Sequence, residues 1–302
     1  LRVMTAILTE KACAKVNLHL EVCGKRPDGY HDILSIMAAV NLFDLLKLTA
    51  FEKSNDGNVS VSIVSDGGQC SDVLSSIKPE DNLITKAVHK YLAGREGGFF
   101  EFYIEKNIPS GAGLGGGSSD AAAVFRMLNN IYGFYSTDEL VMLASSVGAD
   151  VPFCVAGGSA VCGGTGGIIE PVEIPGRLFV LIVNDGIHVD TREAYSAVDE
   201  FQVEGKYNSH LSVSRLKDIL STCDYGKLYN DFEKPVFAKY PRIGTLKREL
   251  EQTECLFSIM TGSGSTLIAL YDSADKAAAA AGSMRNFARI VNVSEIVSGK
   301  KY

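Results

Sequence analysis

Between Cys13 and Val22 the chain alternates without a break, with Val16, Leu18, Leu20 and Val22 on one face and Lys15, Asn17, His19 and Glu21 on the other. A period of two predicts a half-buried β-strand. The next run, Gly24-Lys-Arg-Pro-Asp-Gly-Tyr-His31, has the composition of a turn and carries an aromatic ring and several hydrogen-bonding groups. Farther on, Phe99 to Ile104 is aromatic and β-branched and predicts another strand. Ala121, Val124, Phe125, Leu128 and Tyr132 then recur at helical spacing until Gly133, with Ser118, Ser119 and Asp120 placed to cap the start. A second helical pattern runs from Asp138 to Val147. After it, Gly148-Ala-Asp-Val-Pro-Phe153 sets Asp150 ahead of an apolar stretch that leads into Gly157-Gly158. That aspartate either caps a turn or faces a reaction centre; spacing leaves both open.

Composition changes this picture at one residue type. Thirty of 302 residues are glycine, above the average of about 7%. Five fall between Gly111 and Gly117, six between Gly157 and Gly167, and Gly262 and Gly264 flank Ser263. The first cluster lies between the Phe99–Ile104 strand and the helix ending at Tyr132. A glycine loop feeding a helix start presents unpaired backbone N–H groups and the positive end of the helix dipole, which suits a phosphate. Three loop classes compete for it. The Walker A pattern needs Gly-Lys-Ser/Thr, and no such tripeptide occurs. Gly111, Gly113 and Gly116 match a bare G-x-G-x-x-G, but Glu105 to Ser110 separate them from the strand and a second helix follows the first, so the dinucleotide topology of an oxidoreductase fails. Neither His-Arg-Asp nor Asp-Phe-Gly is present, which removes the protein-kinase loop.

Length and charge bound the rest. A chain of 302 residues exceeds the ~250–300 at which one core stops growing, so two domains are expected. Lys and Arg number 29 against 36 Asp and Glu, a net charge of −7, with no basic cluster beyond pairs such as Lys25-Arg26 and Lys300-Lys301. Nucleic acid and anionic membrane are therefore not expected partners. Apolar runs such as Leu178 to Val183 are far shorter than the ~18 residues of a membrane span. Thr5, Thr9, Glu10 and Lys11 interrupt the first apolar stretch, so no signal peptide is expected. Seven cysteines, at 13, 23, 70, 154, 162, 223 and 255, include no Cys-x-x-Cys pair. That argues against a disulfide framework or a zinc site and for a cytoplasmic protein.

The glycine loop Pro109-Ser-Gly-Ala-Gly-Leu-Gly-Gly-Gly-Ser-Ser119 resembles the phosphate loop of the GHMP kinase superfamily. Four further regions resemble its branch of 4-diphosphocytidyl-2-C-methyl-D-erythritol kinases: Ala14-Lys-Val-Asn-Leu18 with Gly24 to His31, Gly148-Ala-Asp-Val-Pro152, Asn230-Asp-Phe-Glu233, and Met260-Thr-Gly-Ser-Gly-Ser-Thr266. The sequence departs from that pattern at Cys13, where proline is common, and at Gly167, where an acidic residue is frequent.

The resemblance implies an α+β GHMP kinase fold: an N-terminal nucleotide domain like domain 2 of ribosomal protein S5, over 1–166, and a C-terminal ferredoxin-like domain, over 167–302. It implies ATP, with Mg²⁺ accompanying it and no protein ligand for the metal assigned. The acceptor would be the small molecule cytidine diphosphate methylerythritol, phosphorylated on its 2-hydroxyl; oligomeric state is left open. By the same likeness Asp150 is the general base, Lys15 its cationic partner, and Asn17 a ligand of the methylerythritol. His31 would hydrogen-bond the cytosine while Tyr30 and Tyr195 stack on it. Pro109, Gly111, Gly113, Leu114, Gly115, Gly116, Gly117, Ser118 and Ser119 would hold the ATP phosphates, with Asn82 and Lys106 near the adenine. A homoserine, mevalonate or sugar kinase of the same superfamily is the alternative, against which Asp28-Gly-Tyr-His31 argues, since those substrates carry no cytosine. A noncatalytic nucleotide-binding relative would have no need of both Lys15 and Asp150.

Overall fold

A computed structural model describes residues 8–54, 57–68, 77–201, 211–297 and 299. Cys70, Lys300, Lys301 and the residues before Leu8 lie outside that set. The chain divides into two compact units. The first comprises Leu1–Ala14, Leu42–Ser110 and Gly115–Ala156; the second comprises Lys15–Asn41, Gly111–Leu114 and Gly157–Tyr302. This division differs from a single boundary at residue 166. Two long strands, β1 (Leu8–Lys25) and β2 (His31–Ser54), each contribute one stretch to each unit, so the units are built from interleaved segments.

In the first unit the later half of β2 pairs antiparallel with β4 (Gly97–Glu105), and β3 (Val59–Gly67) pairs parallel with β4. Leu46, Leu48 and Phe51 stand opposite Ile104, Phe102 and Phe100, all buried; each such side chain contributes roughly 1.5–3 kcal/mol. The helices are α1 (Leu83–Leu92), α2 (Gly116–Tyr132), α3 (Thr137–Ala144) and α4 (Val151–Ala156). α2 packs on α1 and ends where expected, at Gly133, whose φ of 65° closes the helix and whose N–H donates to the Asn129 carbonyl. A capping box between Ser136 and Glu139 starts α3. The apolar stretch after Asp150 is the short helix α4.

In the second unit the first half of β2 pairs antiparallel with β5 (Ser159–Gly164), which pairs with β6 (Ile168–Pro171). A separate antiparallel sheet is ordered β10-β7-β9-β8, from β7 (Phe179–Asn184), β8 (Phe257–Met260), β9 (Leu267–Tyr271) and β10 (Ile290–Glu295). Between β7 and β8 come α5 (Thr191–Phe201), α6 (Val213–Ser221), α7 (Glu233–Lys239) and α8 (Pro241–Glu251), and α9 (Ala274–Met284) joins β9 to β10. Numbered within this sheet the order is 4-1-3-2 with helical crossovers after its first and third strands, which is the ferredoxin-like arrangement. Leu181, Val183, Ala269, Leu246 and Met284 form its buried core. Among the described residues no helix is long and apolar enough to cross a membrane.

Candidate active site

The second face of β1 is not a solvated face. Lys15, Asn17, His19 and Glu21 are each at most 4% exposed, so the half-buried strand expected from alternation is buried on both sides. Polar side chains tolerate this only when paired, and Asn17 shows how. Its Oδ1 accepts from the Lys15 ammonium at 2.9 Å, from the Gly262 N–H at 3.1 Å and from the Thr261 hydroxyl at 3.3 Å. Its amide donates to Ser35 Oγ at 2.8 Å, Ser35 donates onward to the His19 carbonyl at 2.6 Å, and the Asn17 N–H donates to Thr261 Oγ1 at 2.8 Å. These bonds fix the carboxamide's orientation, its oxygen toward three donors and its amide toward Ser35.

The loop from Met260 to Thr266 is held from below by the Asn230-Asp-Phe-Glu233 segment. Asn230 Nδ2 donates to the carbonyls of Met260 and Gly262 at 2.6 and 2.8 Å, and Glu233 accepts from the Met260 N–H at 2.8 Å. Asp231 accepts from the Val22 N–H at 2.8 Å, tying the same segment to β1. The early glycine loop, Gly111–Leu114, belongs to this unit. The Lys15 N–H donates to the Leu114 carbonyl at 2.9 Å. Gly113, at φ 75°, approaches so closely that a Cβ there would stand 2.8 Å from the Thr261 carbonyl oxygen.

In the first unit α2 begins at Gly116, earlier than Ser118, Ser119 and Asp120 would place it. Its cap is Gly115 in the left-handed region, at φ 69°, with no side-chain hydrogen bond to the helix. Ser119 instead points its hydroxyl at the Cys13 carbonyl, 2.6 Å away. The expected capping residues therefore lie inside the helix, and its first N–H groups are not claimed by a side-chain cap, which fits an anion at that end. A Cβ on Gly116 would meet Ile108 Cγ2 at 3.1 Å and the Lys106 ammonium at 3.5 Å.

Lys106 is buried between two carboxylates, Asp44 and Asp120, the latter at 2.7 Å. Burial disfavours its charge, but Asp120 and Asp44 outweigh that and hold its pKa above the usual lysine value. Burial pushes the Asp120 carboxyl up to about 7; Lys106 pulls it down and Asp44 adds to the rise. Asp44 also accepts from the N–H groups of Asn107 and Ile108, fixing the approach to the glycine loop. Asn82 caps α1, its Oδ1 accepting from the Ile84 N–H at 2.9 Å. Asp150 is half-buried at the entry to α4, its carbonyl accepting the Cys154 N–H at 3.1 Å. Pro109 is half-buried, Leu114 fully so, and Gly117 is exposed.

The residues expected around a base are in the second unit. His31 lies flat on Tyr195, ring centroids 4.6 Å apart and planes at 19°, and Tyr195 sets its edge against Phe232 at 4.8 Å. Tyr30 is 69% exposed. Its backbone is fixed by the turn: Gly29 has φ 86°, and the Tyr30 N–H donates to Asp28 Oδ1 at 3.1 Å. Lys15 and Asn17 are thus brought together with Thr261 and Gly262, and His31 with Tyr195. Lys15 and Asp150 belong to different units.

Residues 82–158 match the family described as GHMP kinases N terminal domain, and residues 212–290 match GHMP kinases C terminal. The chain is 33% identical over 278 residues to a 4-diphosphocytidyl-2-C-methyl-D-erythritol kinase of Caldicellulosiruptor saccharolyticus, covering 92% of each. It is 37% identical over 276 residues to the protein of that name from Syntrophomonas wolfei, covering 88% of this chain and 90% of the relative. The chain belongs to the 4-diphosphocytidyl-2-C-methyl-D-erythritol kinase family. A crystal structure titled 4-(cytidine 5'-diphospho)-2C-methyl-D-erythritol kinase matches with a TM-score of 0.76 at 30% identity, over 97% of this chain and all of that one. The GHMP kinase fold, with its N- and C-terminal domains, is established by these matches.

Membership of this family does not by itself single out Asp44, Asp120, Asp199, Ser35 or Thr261, none of which was a candidate on sequence grounds. Asp44 carried a signal: an aspartate amid the apolar run Val40 to Leu46 is out of place in a strand unless paired. Asp120 and Ser35 lie 14 and 18 residues from Lys106 and Asn17, and Thr261 and Asp199 lie 244 and 168 residues from Asn17 and His31; no local pattern ties any of these pairs together.

Proposed function

We propose that this chain transfers the γ-phosphoryl group of ATP to the 2-hydroxyl of 4-diphosphocytidyl-2-C-methyl-D-erythritol. The observation that carries the reading is the similarity to kinases of that name along about nine-tenths of the chain, at 33–37% identity. Asp150 takes the proton of the acceptor hydroxyl, whose oxygen then bonds to the γ-phosphorus as the bond to the β-phosphate oxygen breaks and ADP leaves. Lys15 contributes positive charge to the acceptor side, and Asn17, held by its four partners, binds the methylerythritol. The N–H groups from Gly113 to Ser118 hold the phosphates, the Ser119 N–H being taken by the Gly115 carbonyl at 2.8 Å; the glycine conformations at 113 and 115 and the uncapped start of α2 support that role. Asn82 and Lys106 lie toward the adenine. Mg²⁺ accompanies ATP and offsets phosphate charge, and among the described residues no group of three or more His, Cys, Asp or Glu side chains is placed to hold a metal. Cytosine is recognised by His31, with Tyr30 and Tyr195 supplying ring contacts.

A coupled ADP-release assay tests the assignment. The cytidylated acceptor should support turnover, and methylerythritol 4-phosphate, homoserine and mevalonate should support almost none. Comparable rates with homoserine or mevalonate would leave a GHMP kinase of different substrate.

A further inference from the structure

Asp199 lies one helical turn after Tyr195 on α5, so the two side chains leave the same face of the helix. His31 touches both. Its Nε2 is 2.7 Å from Asp199 Oδ1 while its ring stacks on Tyr195. The other carboxylate oxygen, Oδ2, accepts from the Lys25 ammonium at 2.7 Å, and a neighbouring cation favours the ionised, acceptor-only form. A contact of 2.7 Å between a carboxylate oxygen and a ring nitrogen then requires the proton to sit on Nε2. The imidazole side chain is only 6% exposed and is covered on one face by Tyr195, so the ring is not at liberty to turn over. In the neutral ring the tautomer is settled by the hydrogen bond at Nε2, and Nδ1 is an acceptor.

That matters for a pyrimidine. Cytosine presents an amino donor at the ring position where uracil presents a carbonyl acceptor. An accepting Nδ1 complements the first and repels the second. We propose that Asp199 is a specificity-determining positioning residue: by keeping the proton on Nε2 it makes His31 select an amino-bearing pyrimidine, cytosine, over uracil. The inference rests on the reading of His31 as a contact to the base edge.

The test measures kcat/KM for the cytidylated acceptor and its uridylated analogue, with CDP and UDP as competing ligands, in wild type and in Asp199→Asn. An asparagine can donate to Nε2, which moves the ring proton to Nδ1. The preference for cytidine should then fall by about 10-fold or more, the size expected when one buried hydrogen bond is reversed. KM for ATP and the melting temperature should stay as in wild type, and Asp199→Glu should restore part of the preference. A purely structural role for Asp199 would lower both substrates equally and leave the ratio intact; that result overturns the proposal. Nitrogen-15 NMR of His31 in the unaltered protein gives a second check independent of any variant. The Nε2–H tautomer is expected, and an Nδ1–H tautomer overturns the inference. If the wild-type protein did not distinguish CDP from UDP, the reading of His31 as a base contact would fail first, and this inference with it.

Discussion

The Lys15 ammonium donates to Asn17 Oδ1 at 2.9 Å, on a strand where both side chains are almost wholly buried. Two residues apart on β1, they share a face, and the same Asn17 oxygen takes the Gly262 N–H from the loop between β8 and β9. One carboxamide therefore sets both the lysine and that loop. Asn17→Leu would leave the Lys15 ammonium and the Gly262 N–H without this acceptor, at a cost of ~1–3 kcal/mol for a buried unpaired polar group. Urea unfolding should show that loss, and kcat/KM should fall further than stability alone explains. A variant with normal kcat/KM would remove Asn17 from the acceptor site.

Asp150→Asn keeps the shape of the α4 entry, where the backbone carbonyl rather than the side chain carries the Cys154 hydrogen bond. Loss of a general base lowers turnover by ~10²–10⁴. ATP affinity should be unchanged, since Asp150 is read as a contact to the acceptor hydroxyl and not to the phosphates. Near-normal kcat in this variant would sink the assignment.

Two glycines of the loop should fail for different reasons. At Gly115 the φ of 69° is the obstacle, and Gly115→Ala should cost ~1–2 kcal/mol in backbone strain. At Gly116 space is the obstacle, with Ile108 Cγ2 3.1 Å from the site of a Cβ. Gly116→Val should weaken ATP binding far more than binding of the cytidylated acceptor. Calorimetry that found both weakened equally would indicate a general loss of fold instead.

The buried trio of Asp44, Lys106 and Asp120 gives a pH signature. Burial raises the Asp120 carboxyl from 3.8 to about 7, so between those values the folded state holds a proton that the unfolded chain releases. The associated stability is full below the unfolded value and is lost as pH rises through about 7. The span from 3.8 to about 7, at about 1.4 kcal/mol per pH step, sets an upper limit on the order of 4 kcal/mol. Urea midpoints of the wild-type protein should therefore decline from pH 5 to pH 8 relative to Asp120→Asn, which has no carboxyl to ionise. Parallel curves for the two proteins would show that Asp120 does not titrate in this range.

Local pattern alone determined much of this protein. Alternation identified β1, the aromatic run identified β4, and helical spacing with a terminal glycine located the body and end of α2, because each of these signals is written in neighbouring residues. The phosphate character of the glycine loop was legible for the same reason: its glycines, strand and helix are contiguous. Only the tertiary structure decided that the polar face of β1 is buried, since Ser35 and Thr261, which satisfy Asn17, come from β2 and from a loop 244 residues away. It also moved the start of α2 back to Gly116, behind a left-handed glycine that leaves the first N–H groups without the side-chain cap expected there. Lys106 met its two aspartates, and His31 met Tyr195 and Asp199, through contacts 14 to 168 residues apart in the chain. Hydrogen bonds and charge pairs of that separation leave no periodicity in the sequence, because what fixes them is the packing of whole elements rather than the preferences of adjacent residues.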